Sequence, residues 1–323
     1  MTEMLYADAV VAGLGEAMGA DENVHLLGQY FLGLTDHRIK MVDLREKFPD
    51  RFYFPPIAEI GYVGAAIGAA MVGLRPIVDI ATASFMFQAF PQIVNEAANI
   101  HYMSAGKTRV PMVFHFNHGI RGGGAAQHSH SPQAMLWNVP GLEIMAPSTP
   151  ADVLGLLRTA VASDNPTAWV DHVRLFDTVG QVPDGAEPIP FGVADVKRAG
   201  ADVTIVASSF MVVRALAAAA TLADVGIDAE VVDLRTLVPL DERTILESVA
   251  KTGRLVVADE CHRRCGVAAE IAAVVSEQAF GDLRTPIRRV TAADVPIPFS
   301  PPLERFIEPT EEKIVEAVRA AVS

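Results

Sequence analysis

The apolar residues of this chain occur in short runs that alternate with longer segments of helical periodicity. Runs rich in apolar and β-branched residues, such as RPIVDI at 75–80 and VPMVFHF at 110–116, are typical of strands. Other segments, among them 6–18, 85–104 and 150–162, repeat apolar residues every three or four positions and predict helices. Strands that alternate with helices in this way indicate parallel α/β layering.

A stretch with three prolines, two glycines and several acids, residues 174–190, divides this pattern in two and has the composition of a linker. The runs after it, VTIVASS, AEVVDL, RLVVADE and IRRVT, suit strands of a parallel sheet that is covered on both faces. A chain of 323 residues also exceeds the usual size of one domain. We therefore predict an α/β protein of two domains, 1–185 and 186–323, each a mostly parallel sheet with helices on both faces.

Composition and charge narrow the functional class. A formal net charge of −13 argues against a nucleic-acid surface, which needs a clustered basic face. The longest apolar run, 60–74, is shorter than the roughly 20 residues of a membrane span, and the N-terminus lacks the pattern of a secretory signal. The two cysteines, Cys261 and Cys265, are expected to be free thiols. We expect a cytoplasmic protein that binds neither nucleic acid nor membrane, with further apolar surface buried in an oligomer.

The segment PPIAEIGYVGAAIGAA contains one acid, Glu59, where a proline-rich loop enters a helix. Desolvation raises the pKa of such a carboxyl group while the helix N-terminus favours its ionised form, so a functional role is open to it. A purely structural role at the helix start is the alternative. Gly61, Gly64 and Gly68 on the same helix suggest close approach of another backbone, or simply tight core packing.

A glycine-rich loop over 119–132 is the second candidate. The glycines at 122–124 permit backbone paths denied to other residues, and His128 and His130 follow closely. Imidazole titrates near neutral pH, which makes a role in proton transfer plausible, although a histidine in a loop can equally be structural. The glycine run is not followed by Lys-Ser/Thr, so it is not a P-loop.

Taken in order, these segments resemble the β subunit of the thiamine-diphosphate-dependent decarboxylating component of 2-oxo acid and acetoin dehydrogenases, in the transketolase-like superfamily. The resemblance covers almost the whole chain and implies a pyrimidine-binding domain over 1–185 and a transketolase C-terminal domain over 186–323. It is carried by FYFPPIAEIGYVGAAIGAAMVGLRPIVDI, FMFQAFPQIVNEAANIHYMSAGK, RGGGAAQHSHSP, VPGLEIMAPSTPADVLGLL, VVDLRTLVPLD and PIPFSPPLERF.

The resemblance also implies roles for individual residues. Glu59 matches the family glutamate that hydrogen-bonds the aminopyrimidine ring, and Phe85 matches an aromatic residue that lies against that ring. His128 matches the histidine that faces the substrate and handles protons. A monovalent-cation site, for K⁺, is implied at the backbone carbonyls of four residues. These are Ala160, Val161, Ser163 and Asn165.

One family motif is missing. The superfamily binds the diphosphate and its Mg²⁺ through GDG followed by Asn, whereas the one GD pair here, Gly281-Asp282, precedes Leu. The resemblance therefore implies that an α subunit carries GDG and Mg²⁺, in an α2β2 heterotetramer with thiamine diphosphate shared between the chains. It leaves open a lipoyl acyltransferase core as a further partner.

The chain also departs from the family pattern at positions near the expected site. Gln29 and Tyr30 stand where the family usually has two acids. The other departures are Ile60 for glutamine, Ser84 for aspartate, His130 for glutamine and Val173 for lysine. Glu59, Phe85 and His128 are all present, so we expect activation of the cofactor to persist while substrate or acceptor has changed.

Three functions follow. The leading one is the β subunit of a 2-oxo acid or acetoin dehydrogenase, which cleaves the bond next to a carbonyl and passes the acyl or hydroxyalkyl unit to a lipoyl carrier. The alternative is a β-type subunit of a two-chain transketolase-like carboligase that uses an aldehyde or sugar acceptor. The third is a non-catalytic scaffolding subunit, which the retained Glu59 and His128 disfavour.

Overall fold

The computed structural model describes residues 1–28 and 30–323, so Gln29 lies outside the described residues. The strands are β1 (Thr2–Leu5), β2 (Val24–Leu27), β3 (Phe52–Tyr53), β4 (Arg75–Thr82), β5 (Val113–His118), β6 (Glu143–Met145), β7 (Thr167–His172), β8 (Val179–Val182), β9 (Asp195–Arg198), β10 (Val203–Ala207), β11 (Ala229–Asp233), β12 (Thr236–Val238), β13 (Leu255–His262) and β14 (Arg288–Ala292).

The α-helices are α1 (Tyr6–Ala20), α2 (Met41–Lys47), α3 (Glu59–Met71), α4 (Ile100–Met103), α5 (Ala125–His128), α6 (Gln133–Trp137), α7 (Pro150–Ala162), α8 (Phe210–Ala223), α9 (Glu242–Thr252), α10 (Val267–Gln278), α11 (Pro301–Ile307) and α12 (Glu311–Val322). Short 3₁₀ helices cover Asp36–Lys40, Pro49–Arg51, Ala83–Gln88, Val173–Leu175 and Phe280–Asp282, and a π-helix covers Gln92–Ala98.

Contacts between residues divide the chain into two units. The glycine-rich segment belongs to a different unit from the residues that precede and follow it in the sequence. The first unit comprises residues 1–118 and 135–191, and the second comprises 119–134 and 192–323. Segment 119–134 is held in the second unit by backbone N–H groups, since Ile120 donates to Glu260 and Gly123 donates to Glu304. The predicted domains, 1–185 and 186–323, are each continuous in sequence, whereas these units are defined by contacts. The domain ranges therefore stay predictions.

The first unit contains a parallel sheet with the order β6-β7-β5-β4-β2-β3. Its central strands β5 and β7 are buried at every position, and both carry apolar residues at successive positions, as at 113–114 and 168–170, which is typical of parallel strands covered on both faces. Helix α1 packs on α7, and α3 packs on the π-helix. The Cβ of an alanine at Gly13 would lie 3.0 Å from Leu157, so this glycine permits the close approach of α1 to α7.

Two segments of the first unit differ from the sequence prediction. Residues 179–182, within the expected linker, form β8 and pair antiparallel with β1 at the N-terminus. The expected helix over 85–104 is divided into a 3₁₀ helix, a π-helix and α4. Pro91 lies between the first two of these pieces, and proline has no N–H to continue a helix. Backbone hydrogen bonds pair β8 with β1, and a missing backbone N–H interrupts the helix at Pro91. Apolar periodicity, on which the prediction was based, records neither.

The second unit contains a sheet with the order β14-β13-β10-β11-β9, in which only β9 is antiparallel to its neighbour. Its core lies between this sheet and a pair of helices, α8 and α12, and is built from Val, Ile, Leu and Ala. Helices α9 and α10 form a second pair. The predicted fold class, two mostly parallel sheets with helices, is confirmed. Among the described residues no helix has the length and apolar character needed to cross a bilayer.

The tight packing of the second unit gives a test. In Gly200→Ala, the new Cβ would lie 2.3 Å from the backbone nitrogen of Glu230 in β11, so strand or loop must shift. We expect the free energy of unfolding to fall by about 1–3 kcal/mol. Gly281→Ala is the matched control, because a Cβ there meets nothing within 4 Å. Equal chemical-denaturation midpoints for the two variants would contradict this description of the packing.

Candidate active site

A small cavity opens in the first unit at the carboxyl ends of β2 and β4, the edge where open α/β sheets bind ligands. Its volume is about 50 Å³. Its walls come from the loop after β2, the end of β4, the proline-rich loop and the start of α3. The lining residues are Gly28, Tyr30, Pro55, Pro56, Ile57, Glu59, Tyr62, Asp79, Ala81 and Phe85.

Two of the residues predicted from the sequence, Glu59 and Phe85, line this one cavity. Glu59 is the first residue of α3, where unpaired N–H groups and the helix dipole favour a negative charge. Both side chains are partly buried, so each presents one side to the cavity. The cavity thus combines a carboxylate with an aromatic ring, a pair that suits a flat, nitrogen-containing ring as ligand.

Tyr62, one turn along α3, adds a phenol to the cavity wall. Its hydroxyl group donates to the backbone carbonyl of Asp79 at 3.4 Å. Burial, followed by the nearby charges of Asp79 and Glu59, raises the pKa of Tyr62 far above its usual value. The phenol therefore remains protonated across the physiological pH range and can only donate or accept hydrogen bonds.

Asp79 forms the floor of the cavity and was missed in the sequence. It is 2% exposed, its Oδ2 accepts a hydrogen bond from the Tyr30 N–H, and its Oδ1 accepts one from the Ala81 N–H at 2.9 Å. Gly28 has φ +115°, and a Cβ on it would lie 2.7 Å from both Cβ and O of Asp79. This contact explains why the loop after β2 needs a glycine.

Behind Asp79, a buried polar chain crosses the sheet. His115 Nδ1 lies 3.2 Å from Asp79 Oδ1, and His115 Nε2 lies 3.4 Å from Asp171 Oδ2. The Tyr6 hydroxyl donates to Asp171 Oδ1 at 2.6 Å. The sequence did contain a signal for this buried polar chain, because β4, β5 and β7 each carry an ionisable residue directly after apolar ones.

His128, the third predicted residue, belongs to the second unit. It is the last residue of α5, and its side chain is exposed in this chain. His130 is half-buried, and burial followed by the charge of His262 lowers its pKa. The chain therefore places Glu59 and Phe85 in one unit and His128 in the other.

Two buried carboxylates hold the segment that carries His128, and sequence reasoning missed both. Glu260 Oε1 accepts a hydrogen bond from the Ile120 N–H at 2.6 Å, and Glu304 Oε2 accepts one from the Gly123 N–H at 2.7 Å. Burial lowers the pKa of Arg121 to about 10, although the charge of Glu260 opposes this shift. Glu304 was visible only as part of the PIPFSPPLERF motif.

The carbonyls predicted to bind a monovalent cation lie at the end of α7 and just after it. Those of Val161 and Ser163 accept hydrogen bonds from the Arg75 guanidinium at 3.0 and 2.8 Å. The Asp164 carboxylate pairs with Arg75 and Arg109. The hydrogen bond from Arg75 contributes most to lowering the pKa of Asp164, and the bond from Arg109 lowers it further. A carbonyl oxygen has two lone pairs, so each retains one acceptor direction.

Comparison with known proteins identifies the family. Residues 2–176 match the family described as transketolase, pyrimidine binding domain, and residues 192–314 match the transketolase C-terminal domain. The chain is 48% identical over 276 residues to the β subunit of acetoin:2,6-dichlorophenolindophenol oxidoreductase of Cupriavidus necator, covering 85% of this chain and 82% of that one. It is 43% identical over 313 residues to the pyruvate dehydrogenase E1 β subunit of Rickettsia felis, covering 97% and 96%.

The chain belongs to this family of E1 β subunits, whose enzymes are thiamine-diphosphate-dependent dehydrogenases. A solved structure, described as a split-gene transketolase in an inactive β4 tetramer, superimposes with a TM-score of 0.81 at 27% identity, covering 99% of this chain and 98% of that one. The cavity of this E1 β-type chain therefore lies within the region that matches the pyrimidine-binding domain.

The contact between Gly28 and Asp79 can be tested with a matched pair of variants. Gly28→Ala and Gly73→Ala place alanine at nearly the same strained φ, +115° and +112°, but only position 28 has neighbours within 4 Å. We expect Gly28→Ala to lower the free energy of unfolding by about 1–3 kcal/mol more than Gly73→Ala. Denaturant titration measures the difference, and equal values would show that the wall of the cavity tolerates a side chain.

Proposed function

We propose that this chain is the β subunit of a two-chain 2-oxo acid or acetoin dehydrogenase. Its enzyme would cleave the bond next to a carbonyl group and pass the acyl or hydroxyalkyl unit to a lipoyl carrier. The observation that carries the proposal is the pairing of the Glu59 carboxylate with the Phe85 ring in one cavity of the region that matches the pyrimidine-binding domain. Close identity to acetoin- and pyruvate-acting relatives supports the substrate class, a small 2-oxo acid or acetoin.

The residues present fit the pyrimidine end of thiamine diphosphate. Glu59 would hydrogen-bond a ring nitrogen and hold or release a proton there, and Phe85 would lie against the ring face. Ala81 and Tyr30 bound the cavity through backbone held by Asp79. When bound, thiamine diphosphate supplies a nucleophilic thiazolium carbon and accommodates the charge that develops beside the substrate carbonyl.

His128 is proposed to face the substrate and to transfer protons to and from its oxygen. Its imidazole is exposed in this chain on the short helix α5, and the segment that carries it is fixed by Glu260 and Glu304. A proton-transfer group needs such a fixed backbone, because reacting atoms must lie within hydrogen-bond distance. His130 has a lowered pKa and would remain neutral beside it.

The remainder of the site is proposed to lie on an α subunit that carries the GDG motif and Mg²⁺. The sequence has no GDG, and the first unit exposes large apolar side chains in and beside α3 and α4 that an oligomer would cover. Among them are Ile57, Ile60, Val72, Tyr102 and Met103, which are 55–90% exposed. An α2β2 assembly, association with a lipoyl acyltransferase core and a cytoplasmic location belong to this proposal.

A bound K⁺ at the end of α7 also belongs to the proposal. A cation at the carbonyls of Val161 and Ser163 would use the acceptor direction that each retains, and it would lie close to the positive charge of the Arg75 guanidinium, which repels it. The carbonyls of Ala160 and Asn165 complete the predicted set.

A second candidate function is transfer to an aldehyde or sugar acceptor. It is favoured by the solved relative described as a split-gene transketolase and by Gln29 and Tyr30, which replace two acids of the family pattern. Both functions use the same cavity, so Glu59 alone does not distinguish them.

The role of Glu59 is tested by Glu59→Gln in the chain assembled with its α subunit. The amide cannot share a proton with the ring, so turnover should fall by about 100-fold or more while assembly is retained. Glu242→Gln is the matched control, because Glu242 is likewise the first residue of a helix, α9, in the second unit. Full activity of Glu59→Gln would favour the scaffolding role instead.

The acceptor is tested with the assembled enzyme, a series of 2-oxo acids and acetoin, and two acceptors. We expect acylation of an isolated lipoyl domain, followed by mass spectrometry, and little carboligation to aldehydes. The isolated chain, without an α subunit, should show no turnover. If the enzyme joined a donor to an aldehyde but acylated the lipoyl domain with no donor, the carboligase function would replace the dehydrogenase function.

A further inference from the structure

Three buried ionisable side chains under the cavity have no part in the proposed chemistry. Asp79, His115 and Asp171 come from the adjacent strands β4, β5 and β7. We propose that His115 is a positioning residue, a buried imidazolium that holds the Asp79 carboxylate and through it the backbone walls of the cavity. The contacts among these three side chains do not depend on the proposed function. Their effect on a pyrimidine ring bound in the cavity rests on that function.

The imidazole is held by contacts on every side. Its Nδ1 lies 3.2 Å from Asp79 Oδ1 and its Nε2 lies 3.4 Å from Asp171 Oδ2, so both nitrogens face a carboxylate. The ring stacks on Phe31 at a centroid distance of 5.3 Å and meets Trp169 edge-on at 4.5 Å. An imidazole that faces acceptors at both nitrogens satisfies both only when both are protonated.

The charges of this cluster require a cation. His115 and Asp171 are 0% exposed and Asp79 is 2% exposed, so neither carboxylate gains much from water. Among the described residues, His115 is the basic side chain paired with either of them, and Tyr6 adds only a hydroxyl group. Burial lowers the pKa of His115, but the hydrogen bonds to Asp171 and Asp79 outweigh it and raise this pKa to about 9.

Asp79 transmits this constraint to the cavity. Its two oxygens accept the N–H groups of Tyr30 and Ala81, both of which line the cavity. Ala81 has φ +60°, which is sparsely populated for alanine and persists only where neighbouring groups enforce it. A carboxylate that rotated away from these donors would release the loop after β2 and the end of β4 together.

The sign of the pH dependence follows from the raised pKa. A histidine with a pKa of about 9 in the fold and about 6.5 when unfolded binds a proton more tightly in the folded state. Its contribution to stability is complete below about pH 6.5 and is lost as the pH rises through about 9. Tyr6, Asp79 and Asp171 are the titratable groups that face the ring.

The test compares His115→Gln with wild type in the assembled enzyme. Glutamine fills much of the space but cannot be cationic, so the KM for thiamine diphosphate should rise about ten-fold at pH 7, with a smaller change in kcat. His25→Gln is the control, since His25 lies in the same sheet and its pKa is lowered rather than raised. An unchanged cofactor KM in His115→Gln would overturn the proposal.

A second measurement needs no cofactor. The unfolding temperature of the wild-type assembly should decrease between about pH 7 and 10 by more than that of His115→Gln, because only the wild type loses the proton. Asp171→Asn, which retains the fold's shape but removes one carboxylate, should shift this decrease to lower pH. Identical pH profiles for wild type and both variants would overturn the proposal. Full activity of Glu59→Gln with distinct profiles would instead count against the proposed function alone.

Discussion

The organisation of the first unit depends on two aspartates and one histidine that are buried together in its sheet. Asp79, His115 and Asp171 lie on three adjacent strands, and the residues on either side of each of them in β4 and β5, and before Asp171 in β7, are apolar. Burying two carboxylates without a cation is costly, so the strands must keep the register that brings the imidazole between them. The same register sets Asp79 under the cavity, where it fixes the backbone of Tyr30 and Ala81.

Buried carboxylates also hold irregular backbone in the second unit. Glu260 at the end of β13 and Glu304 in α11 each accept a backbone N–H from the segment that carries His128. Irregular backbone leaves N–H groups that secondary structure cannot satisfy, and a buried carboxylate satisfies them strongly. The backbone around the cavity and the segment that bears His128 are therefore both held by acids that take no part in the proposed chemistry. Substitution of these acids would act on geometry rather than on the reacting atoms.

The proposed division of the cofactor between two chains also has a physical basis in this chain. Glu59 and Phe85 offer a carboxylate and a ring, which suit the pyrimidine end, whereas the diphosphate needs a metal and oxygen ligands. The exposed apolar side chains around α3 offer the surface on which a second chain would complete the site.

Local sequence determined much of this protein. Continuous apolar runs marked the buried parallel strands, and the single acid at the start of α3 marked Glu59, because such signals lie within a few residues of one another. The family motifs added Phe85 and His128. The break of the helix over 85–104 at Pro91 was a local signal as well. Only the tertiary structure decided the pairing of β1 with β8 and the union of residues 79, 115 and 171. These features join positions up to about 180 residues apart, and their energies depend on burial and distance, which no local pattern records.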